Sequence, residues 1–178
     1  LGPSCTRRCT FCAVRKDAPA PPDPGEPARI GKTVSRLSLK FCVLTMVTRD
    51  DLPDGGAAHV AATIEAIRTR SPGLGVEVLI SDLGGDRESL RTVAAALPEV
   101  LNHNVETVPS RYARVRPQAD YQRSIQLLER ARTMNPQLVT KSGMMLGLGE
   151  SRGEVLRVMD DLRAAGCRLL TLGHYLAP

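Results

Sequence analysis

The sequence predicts a parallel α/β domain of the barrel kind. Short apolar runs alternate with amphipathic ones, each apolar run is bounded by Gly, Pro, Asp or Asn, and polar residues gather where the apolar runs end. Continuous apolar runs fit strands covered on both faces, and strand–helix alternation is the sequence form of a parallel sheet. A doubly wound sheet and a barrel both fit this alternation. A full eight-fold barrel takes roughly 250 residues. The 178 residues present therefore suit about six units, a partial (β/α)6 TIM-type barrel forming a single domain over 1–178.

Leu1–Pro3 reads as the end of a first strand, cut short. A Pro-rich connector, Ala18–Glu26, leads into a helix over Pro27–Leu37. Strands are expected at Leu39–Val47, Val76–Leu83, Val100–Thr107, Leu138–Leu146 and Leu169–Leu176. Between them, Val60, Ile64 and Ile67 share one face of a helix over Ala57–Arg70, and Leu90, Val93 and Leu97 mark the next, with Asp86 as its cap. Asp120 opens a third, striped by Ser124, Leu128 and Ala131 and closed before Pro136. The last is the clearest. Ser151 and Glu154 form a capping-box pair, Val155, Val158, Met159 and Leu162 make the stripe, and Gly166 stands at its stop.

Composition removes several classes of function. No apolar run approaches the roughly 18–20 residues of a membrane span, and no secretory leader precedes the first cysteines, so a cytoplasmic location without membrane contact is expected. Five cysteines, three of them clustered, argue against a disulfide framework. Lys plus Arg number 24 against 19 Asp plus Glu, a net charge of +5. That balance fits a mildly basic soluble surface or an electropositive face for an acidic partner. Without a Lys/Arg block, and with 3% aromatics to stack on bases, nucleic acid is not an expected partner.

The richest stretch is Cys5-Thr6-Arg7-Arg8-Cys9-Thr10-Phe11-Cys12. Three thiolates in Cys-x3-Cys-x2-Cys order can hold one metal centre, and no fourth cysteine is near. A structural zinc would need a fourth ligand. Chance clustering of core cysteines is a second reading. The third is a cubane iron–sulfur cluster, which normally takes four cysteines and would here keep one iron open. Phe11 would shield such a cluster. Arg7 and Arg8 would offset its charge, or simply be solvated.

This spacing resembles the signature of the radical S-adenosylmethionine (radical SAM) superfamily. Arg49–Ala57 (RDDLPDGGA), Asn102–Pro109 (NHNVETVP), Lys141–Glu150 (KSGMMLGLGE) and Thr171–Pro178 (TLGHYLAP) further resemble the lipoyl synthase branch. The resemblance runs through essentially the whole chain. It implies a [4Fe-4S] cluster on Cys5, Cys9 and Cys12, with S-adenosylmethionine on its open iron. It also implies reductive cleavage to methionine and a 5′-deoxyadenosyl radical, then sulfur insertion into an octanoyl chain on an acidic lipoyl carrier protein. A reducing electron donor is a further implied partner. The alternatives are another hydrogen-abstracting radical SAM enzyme, such as a biotin synthase-like one, or a non-enzymatic metal-binding module.

The resemblance also assigns cofactor-binding positions: Thr45, Arg49, Asp50, Asn104, Glu106, Lys141, Ser142, Gly147 and Tyr175. Asn102, Asn104 and Glu106 share one face of a strand because side chains alternate, and three polar groups there call for a ligand or a network. Glu106 is the candidate for the ribose hydroxyls, and Gly143-x-Met145-x-Gly147 for the adenine side. Arg49, Asp50 and Asp51 are expected at the cluster mouth. His103 points to the opposite face and reads as structural, His59 as a surface residue, and Cys42 and Cys167 as small packing residues.

The family carries a second, auxiliary [4Fe-4S] cluster on an upstream Cys-x4-Cys-x5-Cys motif and a C-terminal serine. Neither is among these 178 residues, so the chain reads as a core fragment. It also has Thr45-Met46-Val47-Thr48 for the family's Thr-Ser-Val-Asp, Ser81-Asp82-Leu83-Gly84-Gly85 for Pro-Asp-Phe-x-Gly, and His174 and Ala177 in the Gly-Gln-Tyr-Leu-Gln-Pro segment.

Overall fold

The computed structural model describes residues 1–177; Pro178, the last residue of the Thr171–Pro178 segment, lies outside them. Five parallel strands form one sheet: β1 (Phe41–Thr45), β2 (Gly75–Leu79), β3 (Val100–Asn102), β4 (Val139–Leu146) and β5 (Leu169–His174). Their order in the sheet is their order in the chain. That order decides between the two architectures the sequence left open. A doubly wound sheet reverses direction at a switch point, whereas here every crossover steps the same way, as in a barrel. The result is a half-barrel of five strands. The Leu1–Pro3 stub joins no strand, and only Ser4 makes a single bridge, with Arg15.

Among the described residues six α-helices accompany the sheet: α1 (Glu26–Arg36), α2 (Ala57–Arg70), α3 (Arg87–Ala95), α4 (Tyr112–Val115), α5 (Tyr121–Met134) and α6 (Arg152–Ala164). The expected caps form. Asp86 accepts the Ser89 N–H at 2.8 Å and Asp120 that of Arg123 at 2.6 Å, and Ser151 with Glu154 closes a full capping box. Each satisfies donors that a helix start leaves orphaned, typically worth about 1 kcal/mol. α4 is a single turn with no apolar period to announce it.

Register assigns the two faces of the sheet. Cys42, Val76 and Val78 lie on one face, with Leu101 in line. They join the core with Ile64, Ile67, Leu90, Val93, Leu128 and Ala131 of the helices. Truncating one of these large side chains to Ala costs about 2–5 kcal/mol. The other face, toward the barrel axis, carries Thr45, Leu79, Asn102 and Lys141 in one row and Val43, Glu77, Val100 and Val139 in the next. There Glu77 accepts from Asn102 Nδ2 at 2.9 Å and from Lys141 Nζ at 2.9 Å. α1 and α2 pack closely because residue 31 is glycine: a β-carbon there would sit 2.5 Å from the Ala66 carbonyl oxygen.

β3 is shorter than its apolar run. It ends at Asn102, yet the chain stays on β4: His103 N–H donates to Lys141 O at 3.0 Å, Glu106 N–H to Gly143 O at 2.9 Å, and Met145 N–H to Glu106 O at 2.9 Å. Glu106 adopts a left-handed φ of 63°, uncommon for a residue with a side chain. No helix among the described residues is long and apolar enough to cross a membrane.

Candidate metal and cofactor site

A cavity of ≈ 420 Å³ opens at the C-terminal ends of β1 to β3. Cys5, Cys9, Cys12, Phe11, Thr45, Asn104, Glu106 and Arg116 all line it. The cysteine loop is held over it by backbone bonds. Cys5 N–H reaches Arg15 O at 2.9 Å, Thr6 N–H reaches Thr48 O at 3.1 Å, and Thr10 N–H reaches Val115 O at 3.0 Å. All three thiols are free and half-buried. Among the described residues no three His, Cys, Asp or Glu side chains converge as closely as a single ion requires. The three thiols share one cavity.

Arg116 is the cation of this cavity, and the sequence reading missed it. It is 8% exposed. Its Nη1 donates to Asn104 O at 2.9 Å, Val105 O at 3.2 Å and the Tyr112 hydroxyl at 3.2 Å, and the guanidinium lies 5.5 Å from the Tyr112 ring centre. Its Nε is buried with no partner, and such an orphan is costly unless a ligand meets it. Burial pushes the Cys9 thiol up, and Arg116 pulls in the opposite sense. Burial likewise raises the Glu106 carboxyl against the pull of Arg116. Nothing marks Arg116 among 24 basic residues; only the packing of α4 brings it here.

The other assigned positions sit behind or beside the cavity wall. Arg49, 1% exposed, forks onto Asp51 at 2.8 Å and donates to Leu1 O at 2.7 Å. Asp50 accepts from Arg7 at 2.8 Å. Lys141 is taken up by its pair with Glu77. Ser142 is fully buried, with the Val105 N–H 3.3 Å from its Oγ. Gly147 turns at φ 104°, its N–H held by Glu150 at 2.6 Å, and Tyr175 N–H donates to Leu146 O at 2.8 Å. These last two meet at the β4–β5 edge.

The sequence model of the Radical SAM superfamily matches residues 1–162. The chain belongs to the Radical SAM superfamily. It is 56% identical over 178 residues to a lipoyl synthase of Oleidesulfovibrio alaskensis, covering all of this chain and 60% of that protein. To a lipoyl synthase of Caldanaerobacter subterraneus subsp. tengcongensis it is 53% identical, covering all of this chain and 62% of that protein. The radical SAM chain therefore spans about 60% of the length of the curated relatives it matches. Among solved structures, methylornithine synthase (PylB) aligns with a TM-score of 0.78 at 14% identity over 98% of this chain and 51% of that one. SuiB of Streptococcus suis bound to S-adenosylmethionine aligns at 0.77 and 9% identity over 99% and 39%. At such identities the likeness is one of fold.

Two histidines of the radical SAM chain, His103 and His59, both border the cavity. His103 is buried on the helix side of the sheet, as its alternation requires. Its Nδ1 lies 2.9 Å from Ile80 O and its Nε2 2.9 Å from Ser124 Oγ. His59 is not the surface residue expected: it lines the cavity and its Nε2 meets Glu26 at 2.6 Å. Cys42 is buried in the core and Cys167 is half-buried.

Proposed function

We propose that this chain is the radical SAM core domain of a lipoyl synthase-type sulfurtransferase, with Cys5, Cys9 and Cys12 holding a [4Fe-4S] cluster. The observation that carries this reading is the meeting of the three cysteines, an arginine with one unpaired Nε and Glu106 around one cavity. Three thiols lining one cavity can serve a polynuclear group, in which each thiolate binds its own iron. Arg116 Nε is a donor waiting for an anion, and a cluster on three thiolates with the carboxylate of S-adenosylmethionine is anionic. Cys5, Cys9 and Cys12 would hold the cluster, and bound there it would supply one-electron reduction of S-adenosylmethionine, giving methionine and a 5′-deoxyadenosyl radical.

The chain's own part is to bind, orient and exclude water. Phe11 covers the cysteine loop. Thr45, Asn104 and Glu106 face the cavity and hold S-adenosylmethionine by its polar edges, with Glu106 toward the ribose. Arg49, Asp50, Lys141 and Ser142 act through the loops and strands they brace, and Gly147 and Tyr175 shape the far edge at β4–β5. The substrate is the octanoyl chain of an acidic lipoyl carrier, the electron donor an external reductant, and the location cytoplasmic. Sulfur insertion draws on an auxiliary cluster whose Cys-x4-Cys-x5-Cys motif is not among the 178 residues. Its test therefore uses the whole protein that carries this chain.

Anaerobic reconstitution should give about four irons and matching sulfide per core domain, and dithionite with S-adenosylmethionine should release 5′-deoxyadenosine. Uptake of one zinc without sulfide would overturn the proposal. Turnover of an octanoylated carrier peptide separates sulfur insertion from other hydrogen-abstracting chemistry.

A further inference from the structure

Of the twin arginines in the cysteine loop, Arg8 is exposed while Arg7 is 4% exposed. Arg7 spends four of its five N–H donors on two carboxylates. Nε and Nη2 fork onto Asp50 at 2.8 Å each, and Nη1 and Nη2 fork onto Asp82 at 2.8 and 2.5 Å. Asp50 follows β1 and Asp82 follows β2, so one side chain of the cysteine loop grips two strand ends at once. Thr6 reinforces the first grip: its hydroxyl donates to Asp50 Oδ2 at 3.1 Å, and the Asp50 N–H donates to Thr6 Oγ1 at 3.1 Å. Asp82 is fully buried and also takes the Gly84 N–H at 3.1 Å, with Arg123 Nη1 at 3.5 Å.

This geometry removes Arg7 from the role its position implies. One guanidinium between two carboxylates leaves no positive charge to offset a cluster; the group is net negative without Arg123. Bidentate forks fix orientation as well as distance, and a buried pair of this kind is valued for the arrangement it imposes more than for net stability. We infer that Arg7 is a positioning residue, a clasp that sets the cysteine loop against the ends of β1 and β2 before any metal is bound. The clasp itself stands on the chain's own contacts; its consequence for cluster assembly rests on the function proposed above.

Amide exchange of the metal-free protein tests the clasp alone. In Arg7→Lys, which keeps the charge but cannot fork twice, exchange at Cys5 and Thr6 should quicken roughly tenfold while Val76 and Leu101 in the sheet stay as protected as before. Asp50→Asn, at an exposed side chain, should loosen the same two amides without disturbing buried Asp82, which keeps the test decisive if Arg7 variants unfold. Unchanged exchange at Cys5 and Thr6 in both variants overturns the inference. After anaerobic reconstitution the loosened variants should retain fewer irons than the parent. If the parent itself takes up no cluster but the exchange effect appears, the clasp stands and the cluster assignment falls. If the parent loads and the variants exchange no faster, the reverse holds.

Discussion

The side-chain oxygen of Asn104 occupies the space that a β-carbon on Gly143 would need, 2.6 Å away. Asn104 faces the cavity from the segment after β3, and Gly143 lies in the middle of β4. The glycine motif on β4 thus makes room for a cavity side chain as well as for any ligand.

Gly143→Ala should displace Asn104 and weaken S-adenosylmethionine binding about tenfold, equivalent to about 1.4 kcal/mol. The fold should survive at an overpacking cost of about 1–3 kcal/mol. Calorimetric titration of the reconstituted protein reads the first effect and urea unfolding the second. An unaltered dissociation constant would remove Asn104 from the binding surface.

His103 should give the protein an acid-sensitive stability. The Ile80 carbonyl can only accept, so Nδ1 carries the proton and Nε2 accepts from the Ser124 hydroxyl. Burial, aided by the Arg116 charge, holds the imidazole pKa down at about 4. The folded pKa lies below the unfolded one of about 6.5, so the contribution is complete above about pH 6.5 and is lost as pH falls toward 4. It amounts to something on the order of 3 kcal/mol. His103→Gln should flatten this limb in a series of urea midpoints from pH 7 to pH 4 (roughly the window set by those two values). A limb of unchanged slope would place its origin elsewhere.

Arg116 should govern the reactivity of Cys9. Burial raises that thiol and Arg116 partly counters it, so Arg116→Gln should move the midpoint for Cys9 alkylation in the metal-free protein to higher pH. Cys42, raised by burial and the Glu99 charge, serves as the internal reference. Mass-mapped iodoacetamide labelling across pH separates the two. Equal displacement of both midpoints would point to general loosening instead.

The sequence by itself determined the strand–helix alternation, four helix starts and the cysteine motif, because each is local. Apolar runs, cap residues such as Asp86, Asp120 and Ser151, and ligand spacing need only a few consecutive residues to be read. What required tertiary structure was everything set by neighbours in space. Strand order settled barrel against doubly wound sheet. The left-handed turn at Glu106 ended β3 early while keeping Asn104 and Glu106 at the cavity, since the chain borrowed its hydrogen bonds from β4. Lys141, assigned to the cofactor by resemblance, found Glu77 sixty-four residues away. Arg7 and Arg116, alike in sequence to any other arginine, became a clasp and the cavity's cation. A guanidinium's role depends on which oxygens surround it, and those are fixed only when distant strand ends are brought together.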